Sequence, residues 1–459
     1  MYTVQFDHPI HVHFMGIGGI SMSGLAEILL KRHFTISGSD MRESEMTNHL
    51  SSIGANVMIG QKASNITDDI DLVVYTAAIR EDNEEFAAAK AKGLPMMTRA
   101  TLLGQIMSNY LRSIAVAGTH GKTTTTSMMS HILLEAATDP TISVGGILDL
   151  IKGNILVGKS DVFLTEACEY TNSFLEFFPL YSIILNVEED HMDFFKDIDD
   201  IKNSFHKFAS QTAEDGLIII NGDMEHTDDI LSGLTQKSVT FGLKEGNNYT
   251  AKDISYDDNG NVSYTLYVDS EKKYRVILSV KGEHNVLNSL SAIACSEAMG
   301  LEKDAILRGL ASFGGTKRRF EYKGSLKGVT VIDDYAHHPT EIAATITAAQ
   351  KYPHDDLWIV FQPHTYTRTA AFLEDFAKVL CAADHVVLAD IYAAREPDTG
   401  LVSSMDIVNL MKEAGADVYH FPSFDEIENF LLTVLKGNDL LITMGAGDVV
   451  KIGEELLNM

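Results

Sequence analysis

Only three cysteines stand in 459 residues, at Cys168, Cys295 and Cys381. They lie far apart and form no CxxC pair, which excludes a disulfide framework or a structural zinc site and fits a reducing compartment. Long apolar runs are missing too: no stretch approaches the roughly 18 uninterrupted apolar residues that mark a membrane-spanning helix. The opening segment MYTVQFDHPIHVHF has no basic stretch followed by an apolar one, so a secretion signal is not read there and a cytoplasmic location is expected. Basic residues are scarce, 36 Lys and Arg against 64 Asp and Glu. The resulting charge of -28 is spread along the chain, which argues against a nucleic-acid surface. No nucleic acid and no membrane are expected as partners. Pro/Ser-rich linkers, short repeats and low-complexity tracts are also lacking.

What remains is the composition of a folded protein, with 45% hydrophobic and 22% charged residues. At roughly 150 residues per domain, the length predicts about three domains. Short β-rich runs alternate with amphipathic stretches: HVHFM, a helical pattern from Ile20 to Lys31, FTISGSD and DLVVYTAAI. That alternation predicts a parallel α/β domain over 1–108. The pattern restarts with SIAVAG, a long helix carrying MMSHILL, and strands at VFLTEAC, YSIILNV and LIIIN. Asn259-Gly260, flanked by alternating residues, predicts a hairpin, so the second domain (109–314) is expected to hold a mixed sheet. A third βα series, VTVIDDY, LWIVFQP, HVVLADIY and LLITMGAGDVV, fills 315–459.

Two glycine loops are candidates for phosphate chemistry. In SIAVAGTHGKTTTT a β-branched strand runs into Gly118, Thr119, His120, Gly121, Lys122, Thr123 and Thr124, and then into a helix. Glycines let backbone N–H groups close around phosphate oxygens, the helix N-terminus adds positive partial charge, and Lys122 can reach β/γ-phosphates. The Thr123 hydroxyl can ligate Mg²⁺. The spacing is a shorter G-x-x-G-K-T variant, since the longer form would require glycine at Val116. The other loop joins HVHFM to a helix through Gly16, Gly18 and Gly19, with Asp40 ending the next strand. Ser21 replaces the third glycine of a dinucleotide fingerprint, so this loop is either a nucleotide-diphosphate site or a tight structural turn.

Further polar groups sit at strand ends. Glu166 and Glu169 end VFLTEACE, and Asp190, His191, Met192 and Asp193 follow YSIILNV, where a P-loop threonine, a carboxylate and an imidazole could hold Mg²⁺. Asn285 and Asn288, at i and i+3, can read a base edge or cap a helix. Lys317, Arg318 and Arg319 can neutralise phosphate. Asp333-Asp334-Tyr335-Ala336-His337-His338 and Gln362-Pro363-His364-Thr365-Tyr366-Thr367-Arg368 follow successive strands and predict a cleft.

The ordered set GTHGKTTTT, EACEY, DHMDFF, GEHNVLNSL, GGTKRRF, DDYAHHPTE and FQPHTYTRT closely resembles the Mur ligases, almost end to end. The histidine in GTHGKT separates it from relatives that read GTNGK. The resemblance implies an α/β fold of three domains: a Rossmann-like one for a UDP-sugar, a central P-loop ATPase-like one, and a Rossmann-like C-terminal one. It implies ATP and Mg²⁺ as cofactors, UDP-N-acetylmuramate and L-alanine as substrates, and a monomer or homodimer. Residue by residue, it implies Gly16, Gly18, Gly19, Ser21 and Asp40 at the UDP-sugar. Gly118 to Thr124, Asn285, Asn288, Arg319 and Asp333 fall at ATP, and Thr123, Glu166 and His191 at metal. His364 and Arg368 fall at the amino-acid carboxylate. Thr365 stands where many members carry arginine, which places more weight on Arg368.

A carboxylate is a poor electrophile, so phosphorylation to an acyl phosphate must precede attack by an amine. Lys122 would stabilise the transferring group, and His191 and His338 are both candidates for the base. Rival readings are a ligase that recycles murein peptides, a nicotinamide-dependent oxidoreductase using the first glycine loop, and a nucleotide-binding switch. The oxidoreductase leaves the P-loop unexplained, and the switch leaves the first loop and third domain without a role.

Overall fold

The computed structural model describes residues 2–76, 79–192, 194–257, 260–394, 396–398 and 400–458; Asp193 and Asn259, both read above as motif residues, lie outside them. The chain is an α/β protein divided into two compact units. One takes residues up to Val187 with Lys202–Phe241 and Ser291–Gly309, the other Glu188–Ile201, Gly242–Leu290 and Leu310 onward.

In the first unit, β1 (His11–Met15), α1 (Ile20–Lys31), β2 (Thr35–Asp40), α2 (Glu45–Ser52), β3 (Asn56–Ile59), β4 (Leu72–Tyr75), α3 (Glu84–Ala91), β5 (Met96–Thr98) and α4 (Arg99–Met107) form a Rossmann-like layer. The sheet order is β3-β2-β1-β4-β5, all parallel. The order reverses between β1 and β4, so a ligand crevice is expected at the carboxyl end of β1, where the first glycine loop lies.

The same unit continues through β6 (Arg112–Ala117), α5 (Lys122–Glu135), β7 (Thr141–Leu148), β8 (Gly153–Leu156), β9 (Val162–Ala167), β10 (Tyr181–Ile184), α6 (Ile198–Ser210), β11 (Leu217–Asn221), α7 (Thr227–Leu231) and β12 (Lys237–Gly242). Strands run in the order β12-β11-β10-β6-β9-β7-β8, parallel except for β8. The core of β6 is buried on both faces, as a central parallel strand requires.

The second unit contains the antiparallel meander β13 (Tyr249–Tyr256), β14 (Asn261–Val268) and β15 (Glu271–Lys281). The chain then forms α8 (Glu283–Ala298) and α9 (Lys303–Ser312). A final series follows: β16 (Glu321–Leu326), β17 (Val329–Asp334), α10 (Pro339–Ala349), β18 (Leu357–Phe361), α11 (Tyr366–Ala371), α12 (Leu373–Leu380), β19 (His385–Leu388), α13 (Ser404–Glu413), β20 (Val418–His420), α14 (Phe424–Val434), β21 (Leu440–Met444) and α15 (Val450–Asn458). Its order is β16-β17-β21-β18-β19-β20, with β16 antiparallel. Apolar layers cover both faces, one under α10, α12 and α13, the other under α14 and α15. The ends of β17, β21 and β18 are therefore neighbours. No helix among the described residues is long and apolar enough to cross a membrane.

Candidate functional site

The first glycine loop is pinned from below. Gly16, at φ 82°, and Ile17 both donate to the Ser39 carbonyl, at 2.9 and 3.0 Å. The Gly18 N–H donates to Asp40 Oδ2 at 2.9 Å, and a Cβ on Gly18 would fall 2.9 Å from that same oxygen. Gly19 caps α1 without any side-chain oxygen, so no cap side chain takes up the first-turn amides, the arrangement by which a helix N-terminus can receive an anion. Ser21 is not an idle substitute for glycine: its hydroxyl accepts from Arg99 Nη1 at 2.9 Å.

The second loop is a tight cradle. Gly118, at φ 147°, leaves no room for a side chain, because a Cβ would lie 2.9 Å from Leu185 Cβ. Gly121, at φ 83°, turns the chain into α5, whose first turn carries Lys122, Thr123 and Thr124. Asn186 clamps the loop: its Oδ1 accepts from His120 N at 2.6 Å, its Nδ2 donates to His120 O at 3.0 Å, and its carbonyl accepts from Thr119 N at 3.1 Å. Lys122 folds back over the loop, donating to Thr119 O at 3.0 Å and to Glu169 Oε2 at 2.9 Å. Burial alone would lower the Lys122 pKa, but the Glu169 carboxylate, together with Cys168 and Glu166, more than offsets it and the pKa is raised. Thr123 Oγ1 donates to Glu166 Oε2 at 3.1 Å, while Glu166 Oε1 accepts from Gly145 N at 2.6 Å. A hydroxyl and a carboxylate meeting at the head of a phosphate loop form an oxygen donor set that suits a hard divalent cation.

In the second unit, polar residues gather at neighbouring strand ends. Asp333, fully buried, accepts from Arg318 Nε at 2.9 Å and from Thr443 Oγ1 at 2.7 Å. Arg318 also donates to Gly445 O at 2.7 Å, joining the ends of β17 and β21. Arg319 reaches Glu341 at 3.3 Å, and both guanidiniums lie over the Tyr335 ring, at 4.9 and 5.3 Å. The two amides meet: Asn288 Nδ2 donates to Asn285 Oδ1 at 3.1 Å, and Asn285 Nδ2 donates to Lys281 O at 2.7 Å. Beside them burial holds His284 neutral, its pKa lowered to about 4.

After β18, His364 stacks on Tyr392 at 5.6 Å and its Nδ1 lies 3.4 Å from Arg368 Nη1. Arg368 Nη2 donates to Asp190 Oδ1 at 2.8 Å. Positive φ angles at non-glycine residues mark this region: His191 at 54°, Arg318 at 60°, Phe320 at 50° and Thr365 at 64°. For a β-branched residue such as Thr365 that conformation is costly, and such strain concentrates where backbone placement serves a ligand. His338 caps α10. Its Nδ1 accepts from Thr340 N at 3.3 Å, which makes Nε2 the donor to Glu189 O at 3.0 Å, so neither nitrogen keeps a free lone pair.

Four of these residues were not singled out from the sequence. Asn186 lies two residues beyond β10 and Arg99 opens α4 directly after β5, and neither belongs to a recognisable motif. Gly145 lies in a strand with no recognisable loop pattern. Tyr335 was quoted within its motif but given no role. A polar residue closing an apolar strand beside a glycine loop is the signal that could have found Asn186.

Comparison with known proteins follows the same layout. Residues 11–111 match the model "Mur ligase family, catalytic domain", 116–296 the "Mur ligase middle domain", and 318–447 the "Mur ligase, glutamate ligase domain". The chain is 62% identical to the UDP-N-acetylmuramate–L-alanine ligase of Agathobacter rectalis, over all of both chains. It is 55% identical to the ligase of the same name from Lachnospira eligens, again over both full lengths. Among solved structures it resembles the UDP-N-acetylmuramate-alanine ligase of Thermotoga maritima, with a TM-score of 0.80 and 29% identity across 98% of each chain. It also resembles a murein peptide ligase from Psychrobacter arcticus, with a TM-score of 0.69 and 26% identity across 98% of each chain.

Proposed function

The chain belongs to the Mur ligase family, and on that premise we propose that it joins L-alanine to the lactyl carboxylate of UDP-N-acetylmuramate, consuming ATP and releasing ADP and phosphate. The observation that carries this reading is the end-to-end identity with relatives bearing that activity in their name. The product is a precursor of peptidoglycan, made in the cytoplasm. Residues 1–108 bind the UDP-sugar on Gly16, Gly18, Gly19, Ser21 and Asp40. Residues 109–314 hold the ATP phosphates on Gly118 to Thr124, and 315–459 contribute the remaining nucleotide contacts and the amino-acid pocket. Asn285 and Asn288 meet the adenine, Asp333 the ribose and Arg319 the phosphates.

A lactyl carboxylate oxygen attacks the γ-phosphorus in line while the bond to the β,γ-bridging oxygen breaks and ADP leaves. The alanine nitrogen then adds to the acyl carbon, and collapse of the tetrahedral adduct expels phosphate. Lys122 serves the first step as a charged donor already held at the loop; when triphosphate enters, its oxygens replace Glu169 as the partner. Thr123 and Glu166 would hold Mg²⁺, and a bound cation would neutralise charge on the phosphate oxygens. His364 and Arg368 fix the alanine carboxylate. His191 and His338 are the two candidates for accepting the amine proton, His338 already donating from Nε2 to Glu189 O and accepting at Nδ1 from Thr340 N.

An assay of ADP release tests this directly, offering UDP-N-acetylmuramate and ATP with each amino acid in turn and, separately, with the tripeptide L-alanyl-γ-D-glutamyl-meso-diaminopimelate. Turnover with alanine and not with the tripeptide is expected. The reverse preference would make the chain a recycling ligase, and NAD(P)H binding without UDP-sugar binding would overturn the ligase reading of the first loop.

A further inference from the structure

Beneath the first glycine loop lies a polar chain that no step above uses. Glu85 has no exposed surface, nor has His13, and Ser39 is equally buried. The Glu85 carboxylate accepts from Ser39 Oγ at 2.5 Å and from Asn65 Nδ2 at 2.5 Å, and His13 Nε2 lies 3.6 Å away. His13 Nδ1 in turn lies 2.9 Å from Ser37 Oγ. A buried carboxylate is expensive unless donors and local dipoles compensate it. Here Asn83 caps α3, accepting from the backbone of Glu85 and Phe86, so Glu85 also sits in the positive first turn of that helix.

The position of this group gives it a task. Ser39, whose side chain Glu85 holds, is the residue whose carbonyl receives both Gly16 N–H and Ile17 N–H. The next residue, Asp40, receives Gly18 N–H. The end of β2 therefore sets the loop's shape, and Glu85 fixes that end from the core side. We propose that Glu85, acting through Ser39, is a positioning residue for the UDP-sugar: it holds the glycine loop so that the α1 amides are presented to the diphosphate. This rests on the first loop being the UDP site.

The test compares Ser39→Ala, which removes one hydroxyl, and Glu85→Gln with the exposed neighbour variant Glu84→Gln as control. Calorimetry with UDP needs no turnover, and steady-state kinetics follow each substrate separately. Both core variants should weaken UDP and raise the KM for UDP-N-acetylmuramate by roughly 2- to 10-fold, the scale of losing one ordinary hydrogen bond behind the site. The KM for ATP and kcat should stay within about twofold, and the double variant should be little worse than either single one, because both changes break the same chain. A lowered melting temperature with unchanged UDP affinity in Ser39→Ala and Glu85→Gln would reduce the network to packing and overturn the proposal. Wild-type protein that binds UDP and responds this way, yet does not ligate alanine, would sink the proposed reaction and leave this inference standing.

Discussion

Arg368 is gripped along one edge by a single oxygen: Asp190 Oδ1 accepts from Nη2 at 2.8 Å and from Nε at 3.3 Å. Burial pushes the Asp190 pKa up, but the Arg368 guanidinium and His191 more than offset it and hold the carboxyl well below the usual range. The Nη1 side of the fork meets His364 Nδ1 at 3.4 Å, so the two residues proposed for the alanine carboxylate lie together. Arg368→Ala should raise the KM for alanine by about 10- to 150-fold, the worth of a hydrogen bond to a charged group, and leave the KM for ATP within a few-fold. Asp190→Asn keeps the shape and weakens the grip, so a smaller rise, about tenfold, is expected. Steady-state kinetics on both variants decide it; a loss confined to ATP would move Arg368 to the nucleotide.

Much of this was readable from residue order. The helix over Ile20–Lys31 is found at those bounds, and the strands that carry the site, SIAVA, LWIVF and LLITM, stand out because central parallel strands are apolar throughout. Short edge strands did not stand out: β3 is four residues long and only partly buried, too little to print a period. The partners inside the site were also hidden. That Lys122 would meet Glu169 while Thr123 met Glu166 depends on how β9 lies against β6, which pairing decides and spacing along the chain does not.

Lys122→Ala should lower turnover by about 10²–10³, the cost of removing one preorganised charge-stabilising donor. Two consequences separate. Turnover is lost because the transferring phosphoryl loses its cation, while Glu169, only 2% exposed, is left without its ammonium. A modest fall in melting temperature should therefore accompany the kinetic loss. Near-normal turnover in the folded variant would take this loop out of the chemistry.

Thr123→Ala and Glu166→Gln address the cation. Each removes one oxygen donor from the pair that meets at 3.1 Å, so each should raise the Mg²⁺ concentration for half-maximal activity by about tenfold, which corresponds to about 1.4 kcal/mol. Excess Mg²⁺ should restore much of the Thr123→Ala activity and less of the Glu166→Gln activity, because a carboxylate is both ligand and countercharge. Activity curves against Mg²⁺ that coincide with wild type would exclude these two residues as ligands.

The last expectation concerns stability, far from the reaction. Glu428 of α14 is 3% exposed, its Oε1 is buried and has no hydrogen-bond partner among the described residues, and Asp425 and Glu455 lie beside it. Burial, followed by the Glu455 and Asp425 charges, pushes its pKa up to about 7. A carboxyl whose folded pKa exceeds its unfolded value binds more protons when folded. Its contribution is therefore fully present below the unfolded pKa, about 4.3, and is lost as pH rises through 7. Glutamine has nearly the same shape and no charge to lose. Glu428→Gln should accordingly raise the melting temperature by about 2–4 °C at pH 8, the response of a mid-sized domain to about 1 kcal/mol, and change it little at pH 5. Thermal melts of both proteins between pH 5 and pH 8 test the difference. A gain of equal size at both pH values would mean that α14 and α15 respond to packing and not to the charge on Glu428.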